Sequence, residues 1–232
     1  MFLLCSLPVL AYGRVAAEDP TARHRESMVG STRSLTWEDL GSAAQRERRR
    51  RILDATLALA SQGGYDAVQM RAVADRADVA LGTLYRYFPS KIHLLVSALA
   101  GELEQARAGL ERRPAPGDTA ADRVMYVLRR STRSLQRDPH LTEALTRAFV
   151  FADASVATEI QVVGTHVSHM LIRAMRDPSA LGESPEPIEE QVAIAKVVGD
   201  VWLASLVQWV TGRASAADVD RSLDVAVRLL LR

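Results

Sequence analysis

Cysteine is almost absent from this 232-residue chain. Because Cys5 is the only cysteine, the body of the chain offers no disulfide framework, no thiolate metal site and no cysteine nucleophile. A chain without structural disulfides is typical of a reducing compartment. We therefore expect a cytoplasmic protein.

Aromatic residues are also scarce, at 5% of the chain, and no stretch alternates valine or isoleucine with polar residues over the length of a strand. Hydrophobic residues make up 48%, as in ordinary globular proteins. A chain of this length can bury roughly 70% of its unfolded surface. We expect an all-α protein of one or two domains.

Enzyme signatures are missing as well. The sequence contains no G-x-S-x-G element, no P-loop and no dinucleotide-binding fingerprint. His166 and His169 share one face of a predicted helix, but no carboxylate or thiol lies near them to complete a metal site. A polar lining or a surface pair is the commoner reading of such a pattern. We predict no enzyme activity, no cofactor and no metal site.

The amino-terminal residues 1–33 do not fit a globular pattern. They begin with the apolar run MFLLCSLPVLA, which no positive charge precedes, so a signal peptide is a poor interpretation. The run is also too short, and too interrupted by proline, to span a bilayer. We expect either a disordered extension or an over-called start codon, and no membrane segment.

Basic charge is concentrated in one part of the chain, although the net charge is only +1. Residues 43–91 carry nine Arg or Lys and five Asp or Glu, a balance of +4, whereas residues 92–232 carry sixteen and eighteen, a balance of −2. A local basic balance is typical of a module that contacts phosphates.

That basic part contains two short predicted helices joined by a tight turn, in residues 69–91. The first has an apolar face at helical spacing, formed by Met70, Val73, Ala74 and Ala77. Asp78 follows at the turn, where aspartate tolerates a left-handed conformation. The second runs over residues 81–87 with Leu84 and Phe88 inward, and Pro89 discourages its continuation. Ser90 can cap the next helix.

Two short helices with this spacing are typical of a helix-turn-helix that inserts its second helix into the major groove. Gly82 allows a close backbone approach, and the hydroxyls and rings of Thr83, Tyr85 and Tyr87 suit sugars and thymine methyls. Lys91 opens the next helix, where free N–H groups favour a phosphate. The candidate DNA-binding residues are Gln69, Leu81, Gly82, Thr83, Tyr85, Tyr87, Lys91 and Arg50.

The segment GTLYRYFPSK resembles the recognition helix of TetR-family regulators, with the usual spacing from VADRADVA. The resemblance runs from Arg48 through Leu99. Three positions depart from the pattern, because Asp78 replaces a commoner glycine, Ala80 a capping serine and Tyr87 a frequent histidine. The departures affect base preference rather than fold. The resemblance implies an all-α protein of nine helices, with a three-helix DNA-binding domain and a helical ligand-binding and dimerisation domain.

The first helix is predicted to begin at Ser42, which has capping-box spacing to Gln45, and to end at Gly63 and Gly64. A short separate turn is expected at residues 36–39. Arginines cluster at the front of this helix, namely Arg46, Arg48, Arg49, Arg50 and Arg51. They are equally well explained as a phosphate-gripping end or as a solvated face.

Later helix boundaries are readable from capping residues. A long helix is expected from Lys91 to Arg112, and residues 177–187 are expected to form a surface connection rich in proline. The predicted starts of the remaining helices are Thr119, Asp138 with Pro139, Ser155, Pro187 and Ser215. The predicted ends include Gln136 and Ala152. We divide the chain into residues 1–33, a DNA-binding domain 34–90 and a ligand-binding and dimerisation domain 91–232.

The family resemblance implies a homodimer through the last two helices, binding palindromic double-stranded operator DNA, and an apolar ligand pocket among helices four to eight. The pocket candidates are Met125, Phe149, Met170, Trp202 and Trp209, although such residues taken singly are more often core. From about Ser34 the chain is similar to actinobacterial family members that repress sterol-catabolism genes and respond to CoA thioesters. Arg129, Arg130 and Arg133 could then meet the CoA phosphates.

Two functions are thus open. The first is a ligand-responsive repressor of lipid or sterol breakdown genes. The second is a DNA-binding architectural or recruiting protein that responds to no ligand, in which the second domain would be a filled core.

Overall fold

The computed structural model describes residues 37–176 and 187–232. These two ranges contain nine α-helices, a short 3₁₀ turn and no strand, so the predicted all-α class is confirmed. The helices are α1 (Trp37–Ala67), α2 (Met70–Arg76), α3 (Leu81–Tyr87), α4 (Lys91–Arg112), α5 (Ala120–Gln136), α6 (Pro139–Val150), α7 (Ala157–Met175), α8 (Glu189–Val210) and α9 (Ala216–Leu230). The predictions for residues 1–33 and 177–186 lie outside the described residues.

Four of the predicted capping residues begin helices as expected. In each case a side-chain oxygen accepts a hydrogen bond from the backbone N–H three residues later, which satisfies one of the free donors of the first turn. These caps are Ser90 for α4, Thr119 for α5, Asp138 for α6 and Ser215 for α9. Asp218 completes a reciprocal capping box with Ser215.

Other predicted boundaries were wrong. The first helix begins at Trp37, not at Ser42, so Trp37, Glu38 and Asp39 belong to α1 and not to a separate turn. Ser155 does not cap α7. Its N–H donates to the Asp153 carboxylate at 2.8 Å, because an aspartate two residues earlier opens a 3₁₀ turn, and α7 follows from Ala157. Helix α6 ends at Val150 rather than Ala152, and α8 begins at Glu189 rather than Pro187.

The residues from Gln45 onward form one compact unit. The division of this part of the chain at residues 90 and 91 remains a prediction. Within the unit, α4 and α7 run in the same direction, because one polar contact joins them near their starts and another joins them near their ends. The His93 Nε2 lies 3.1 Å from the Ser155 carbonyl oxygen near their starts, and the Arg173 guanidinium donates to the Glu111 carbonyl at 3.5 Å near their ends. Helix α4 also packs against α6.

The last two helices pack against each other, and α9 is also held to α5. Arg129 on α5 donates to the Asp220 carboxylate on α9 at 2.6 Å and lies 3.5 Å from Asp224. Arg129 is therefore engaged in a helix-to-helix ion pair. By length and composition alone α8 could cross a membrane, but it packs against α6, α7 and α9 and contributes Ala195, Val198, Trp202 and Leu206 to the core.

The predicted end of the first helix at Gly63 and Gly64 corresponds to a real break. Both residues have non-helical dihedrals inside α1. Gly64 has φ +68° and ψ −159°, a backbone conformation that residues other than glycine avoid. A β-carbon at Gly64 would lie 2.7 Å from the Glu143 Oε2 on α6. This break lets the chain turn closely against α6.

We predict that Gly64→Ala lowers the free energy of unfolding by about 1–3 kcal/mol, because it adds backbone strain and a steric clash. Gly101→Ala is the matched control, since a β-carbon at Gly101 in α4 meets no atom within 4 Å. It should raise stability by about 0.5–1 kcal/mol through helix propensity. Urea unfolding of both variants measures the difference, and equal effects would contradict the role assigned to the Gly64 backbone.

Candidate nucleic-acid interface and regulatory domain

Two buried residues determine which side chains of α3 are exposed. Leu84 and Phe88 are buried among residues of the core, which fixes the rotation of the helix. Beside this buried face Leu81 is 38% exposed and Tyr85 47% exposed. Gly82 is exposed, and a β-carbon there would meet no atom within 4 Å. The candidates Leu81, Gly82 and Tyr85 therefore form one open surface.

The turn between α2 and α3 has the conformation that the sequence predicts. Asp78 has φ +53°, a left-handed conformation that aspartate tolerates better than most residues. A hydrogen bond from the Val79 N–H to the Ala74 carbonyl closes the turn at 3.0 Å. From α1, the Arg51 guanidinium donates to the Ala77 carbonyl at 2.8 Å. Arg51 thus holds the turn that sets the direction of α3.

The other candidates on or beside these helices differ in how far they are exposed. Thr83 is half-buried and lies 3.4 Å from the Arg86 guanidinium, from which its hydroxyl accepts a hydrogen bond. Tyr87 is half-buried, and its ring centroid lies 6.4 Å from that of Phe88. Gln69 is exposed and immediately precedes α2, where its side chain makes no capping bond.

Members of the arginine cluster on α1 already have partners. Arg49 lies over the Phe88 ring, with its Cζ 5.4 Å from the centroid, and Arg51 bonds the turn. The candidate Arg50 is paired within its own helix, at 2.6 Å from both Glu47 and Asp54. Exposed pairs of this kind are weak, so Arg50 can still exchange a carboxylate for a DNA phosphate.

Lys91, predicted to contact phosphate, begins α4 and is half-buried. Its Nζ lies 3.8 Å from the centroid of the Tyr65 ring, a cation–π contact. Burial lowers the pKa of Lys91, and nearby Arg147 lowers it further, while Asp66 and Glu143 raise it. The ammonium therefore belongs to a cluster that includes residues of α6.

Sequence reasoning missed that cluster. Tyr65, Glu143 and Arg147 come together although 78 residues separate Tyr65 from Glu143. None of the three residues belongs to a motif that would indicate its role from the sequence. The only local signal is the glycine pair before Tyr65, which predicts a break in the helix but not what the break contacts.

The predicted ligand-contact residues occupy different environments. Met125 and Met170 are buried, and Trp202 is buried with its indole N–H donating to the Thr132 hydroxyl at 2.9 Å. Phe149 and Trp209 are partly buried against the same core. Of the five, only Met170 lines the small pocket described next, so their role as ligand contacts remains a prediction.

The small pocket is partly open to solvent and has a volume of about 20 Å³, room for about one water molecule. It lies where α4, α5 and α7 meet, and its lining includes Leu110, Val127, Met170 and Arg123. The Arg123 guanidinium is buried, and its hydrogen bonds go to four backbone carbonyls, those of Gly117, Asp118, Ala174 and Met175. Arg123 thus ties α5 to the end of α7.

A larger cleft of about 380 Å³ opens to solvent between α1 and α4. Arg46, Arg49 and Arg50 line one side, and Gly101 and Ala108 are among the residues on the other. Sequence reasoning did not predict this cleft. Over residues 37–176 and 187–232 no group of three His, Cys, Asp or Glu side chains is placed to hold a metal ion, and His169 is exposed.

Comparisons with known proteins cover both parts of the chain. A family model described as bacterial regulatory proteins of the tetR family matches residues 52–98, and one described as the tetracyclin repressor-like C-terminal domain matches residues 117–230. The HTH-type transcriptional repressor KstR of Mycolicibacterium smegmatis is 58% identical over 197 residues, which cover 85% of this chain and 93% of that protein.

Two solved structures show the same fold. A TetR transcriptional regulator from Rhodococcus sp. RHA1 aligns with a TM-score of 0.73 and 32% identity, over 81% of this chain and 97% of that one. FadR of Thermus thermophilus, a TetR-family repressor in complex with lauroyl-CoA, aligns with a TM-score of 0.64 and 19% identity, over 79% and 93%.

The relatives are transcriptional regulators rather than enzymes, and a matching DNA-binding region precedes a matching regulatory region in this chain. The chain therefore belongs to the TetR family of bacterial transcriptional regulators and is a KstR-like, DNA-binding transcriptional repressor.

Proposed function

We propose that this chain is a homodimeric, ligand-responsive repressor that binds palindromic operators of lipid or sterol breakdown genes and is released by a CoA thioester of a sterol catabolite. The observation that carries the proposal is the open surface of α3, formed by Leu81, Gly82 and Tyr85 on a helix anchored by Leu84 and Phe88. In this proposal such a surface contacts base edges, while Lys91, Arg50 and Gln69 contact the DNA backbone.

Homodimerisation through α8 and α9 is supported by the apolar surface that these helices leave exposed. Val197 on α8 is 46% exposed, and on α9 Val225 and Leu229 are 55% and 58% exposed. Val225 and Leu229 are four residues apart and therefore share one helix face. Such a face is typically covered by a partner, and a two-fold dimer would place two α3 helices roughly 34–36 Å apart on a palindrome.

The ligand proposal rests on the similarity to KstR and on the fold shared with FadR, which was solved with lauroyl-CoA. The small pocket is lined mainly by apolar residues, together with three arginines, but it has room for only about one water molecule. A sterol-sized ligand must therefore separate the helices around Met170. The ligand would therefore bind the conformation with separated helices more tightly than the packed one. Only such a difference in affinity lets a ligand shift the equilibrium between two conformations of the protein.

Helix α4 connects such a separation to the DNA. It begins at Lys91, three residues after Phe88, and continues between α6 and α7 to Arg112. A ligand that moves α6 or α7 would tilt α4 and change the distance between the two α3 helices of the dimer. Because both helices must fit successive major grooves, a changed distance lowers operator affinity.

The ligand response can be measured by fluorescence anisotropy of a labelled palindromic promoter fragment, with and without a sterol-derived CoA thioester. We expect specific binding that the thioester reduces at least tenfold, with free CoA as the control. Specific binding that ignores the thioester would leave the DNA function intact but contradict the sterol proposal, and binding without sequence preference would favour an architectural protein.

Base reading and phosphate contact can be separated with two substitutions. Tyr85→Ala should weaken binding and relax sequence preference, because it removes a ring and hydroxyl from the exposed face of α3. Lys91→Ala should weaken binding to all sequences and reduce the slope of log affinity against log salt by about 1 per protomer. Titrations on specific and scrambled duplexes at several salt concentrations test both roles. An equal loss of specificity in the two variants would contradict the assignment.

Dimerisation can be tested by placing charge on the exposed face of α9. We expect Val225→Glu combined with Leu229→Glu to shift the protein to monomer in sedimentation equilibrium and to abolish tight operator binding, since a buried unpaired carboxylate is costly. Val162→Glu, at a 41% exposed position on α7, is the control and should stay dimeric. A doubly substituted protein that remains a dimer would place the interface elsewhere.

A further inference from the structure

The cluster around Tyr65 joins the DNA-binding end of the chain to α6. Two cations lie over the Tyr65 ring: Lys91 from the start of α4, with its Nζ 3.8 Å from the centroid, and Arg147 from α6, with its Cζ at 4.4 Å. Each can interact with the negative face of the ring. One side chain in the last turn of α1 is therefore shared by a predicted phosphate contact and by a helix of the regulatory part.

Glu143 fixes the backbone of the same turn. Its Oε2 accepts a hydrogen bond from the Tyr65 N–H at 2.8 Å, and its Oε1 lies 3.5 Å from the Arg147 guanidinium. Arg147 also lies 3.6 Å from the Asp66 carboxylate. Glu143 and Arg147 are four residues apart on one face of α6, so they move together with that helix.

The contact between the end of α1 and Glu143 leaves little room for movement. The left-handed Gly64 lets the backbone approach Glu143 so closely that a β-carbon would clash with the carboxylate. Lys91 and Arg147 carry like charges that repel each other, and the nearby carboxylates of Asp66 and Glu143 offset this repulsion. A displacement of α6 would therefore disturb both the Tyr65 backbone and the charge balance around Lys91.

We propose that Glu143 and Arg147 are positioning residues for operator binding, which hold Tyr65 against Lys91 so that the phosphate contact of Lys91 depends on where α6 lies. The inference rests on the proposed function, in which Lys91 contacts DNA. It adds a second route from the regulatory part to the DNA, besides the tilt of α4. Helix α6 also carries Phe149, a predicted ligand contact two residues beyond Arg147, so ligand and cluster act on the same 12-residue helix.

The first test is a salt titration of operator affinity with the full-length protein, on the palindrome that the wild type selects from a random duplex library. We expect Glu143→Ala and Arg147→Ala each to lower affinity about tenfold, as loss of a charge-assisted contact does. Both should also reduce the salt slope by about 2 per dimer, as Lys91→Ala does, since one phosphate contact is lost in each protomer. A merely structural role would lower the melting temperature but leave the slope unchanged.

A double-mutant cycle tests whether these residues act through Lys91. Combined with Lys91→Ala, the Glu143→Ala and Arg147→Ala substitutions should add less than about twofold further loss, because residues that act through one another are not additive. Full additivity with an unchanged salt slope would overturn the proposal.

Conservative variants separate positioning from misfolding. Glu143→Gln keeps an acceptor for the Tyr65 N–H, Arg147→Lys keeps a cation, and Tyr65→Phe keeps the ring face, so each should retain more affinity than Glu143→Ala, Arg147→Ala or Tyr65→Leu, respectively. Glu159→Gln on α7 is the control for loss of a carboxylate elsewhere. Conservative variants as weak as the disruptive ones, with melting temperatures at the wild-type value, would overturn the proposal.

The outcomes distinguish this proposal from the function on which it depends. Wild-type protein that selects no palindrome would contradict both. A wild type that binds, with Lys91→Ala leaving the salt slope unchanged, would keep the repressor function and overturn the role of the cluster.

Discussion

The direction of α3, the helix proposed to read DNA, depends on one backbone conformation, the left-handed φ of Asp78 between α2 and α3. Arg51 holds the turn by donating to the Ala77 carbonyl, and buried Leu84 and Phe88 fix the rotation of α3. The exposed side of α3 is therefore set by interactions on its hidden side. Aspartate accepts this conformation at a cost that glycine would not have, and the contact from α1 compensates for part of it.

Much of the fold could be predicted because the relevant signals are local. A capping side chain bonds to its own helix three residues later, so Ser90, Thr119, Asp138 and Ser215 reveal helix starts without any tertiary information. The same rule failed at Ser155, where Asp153 captures the N–H first and opens a 3₁₀ turn. The anchors of α3 were predictable for a similar reason, since their spacing sets a helix face.

The candidate sites were only partly predictable, because their remaining members meet through tertiary packing. Nothing near Tyr65 in the sequence indicates Glu143 or Arg147, which the packing of α6 brings to it. The ligand contacts illustrate a different limit. Met125, Met170 and Trp202 are buried, as both core and pocket residues are, and hydrophobic spacing gives the same signal for either. The Thr132 partner of Trp202 is likewise a contact between helices that periodicity does not encode.

The two ties between α4 and α7 limit how α4 can move. His93 is joined to the Ser155 carbonyl near one end of the pair, and Arg173 to the Glu111 carbonyl near the other. Sliding α4 along its axis would stretch both ties at once, whereas swinging it about either tie would break only the opposite one. The packing of α4 against α7 therefore favours rotation of α4 about one of the two hydrogen bonds over sliding along its axis.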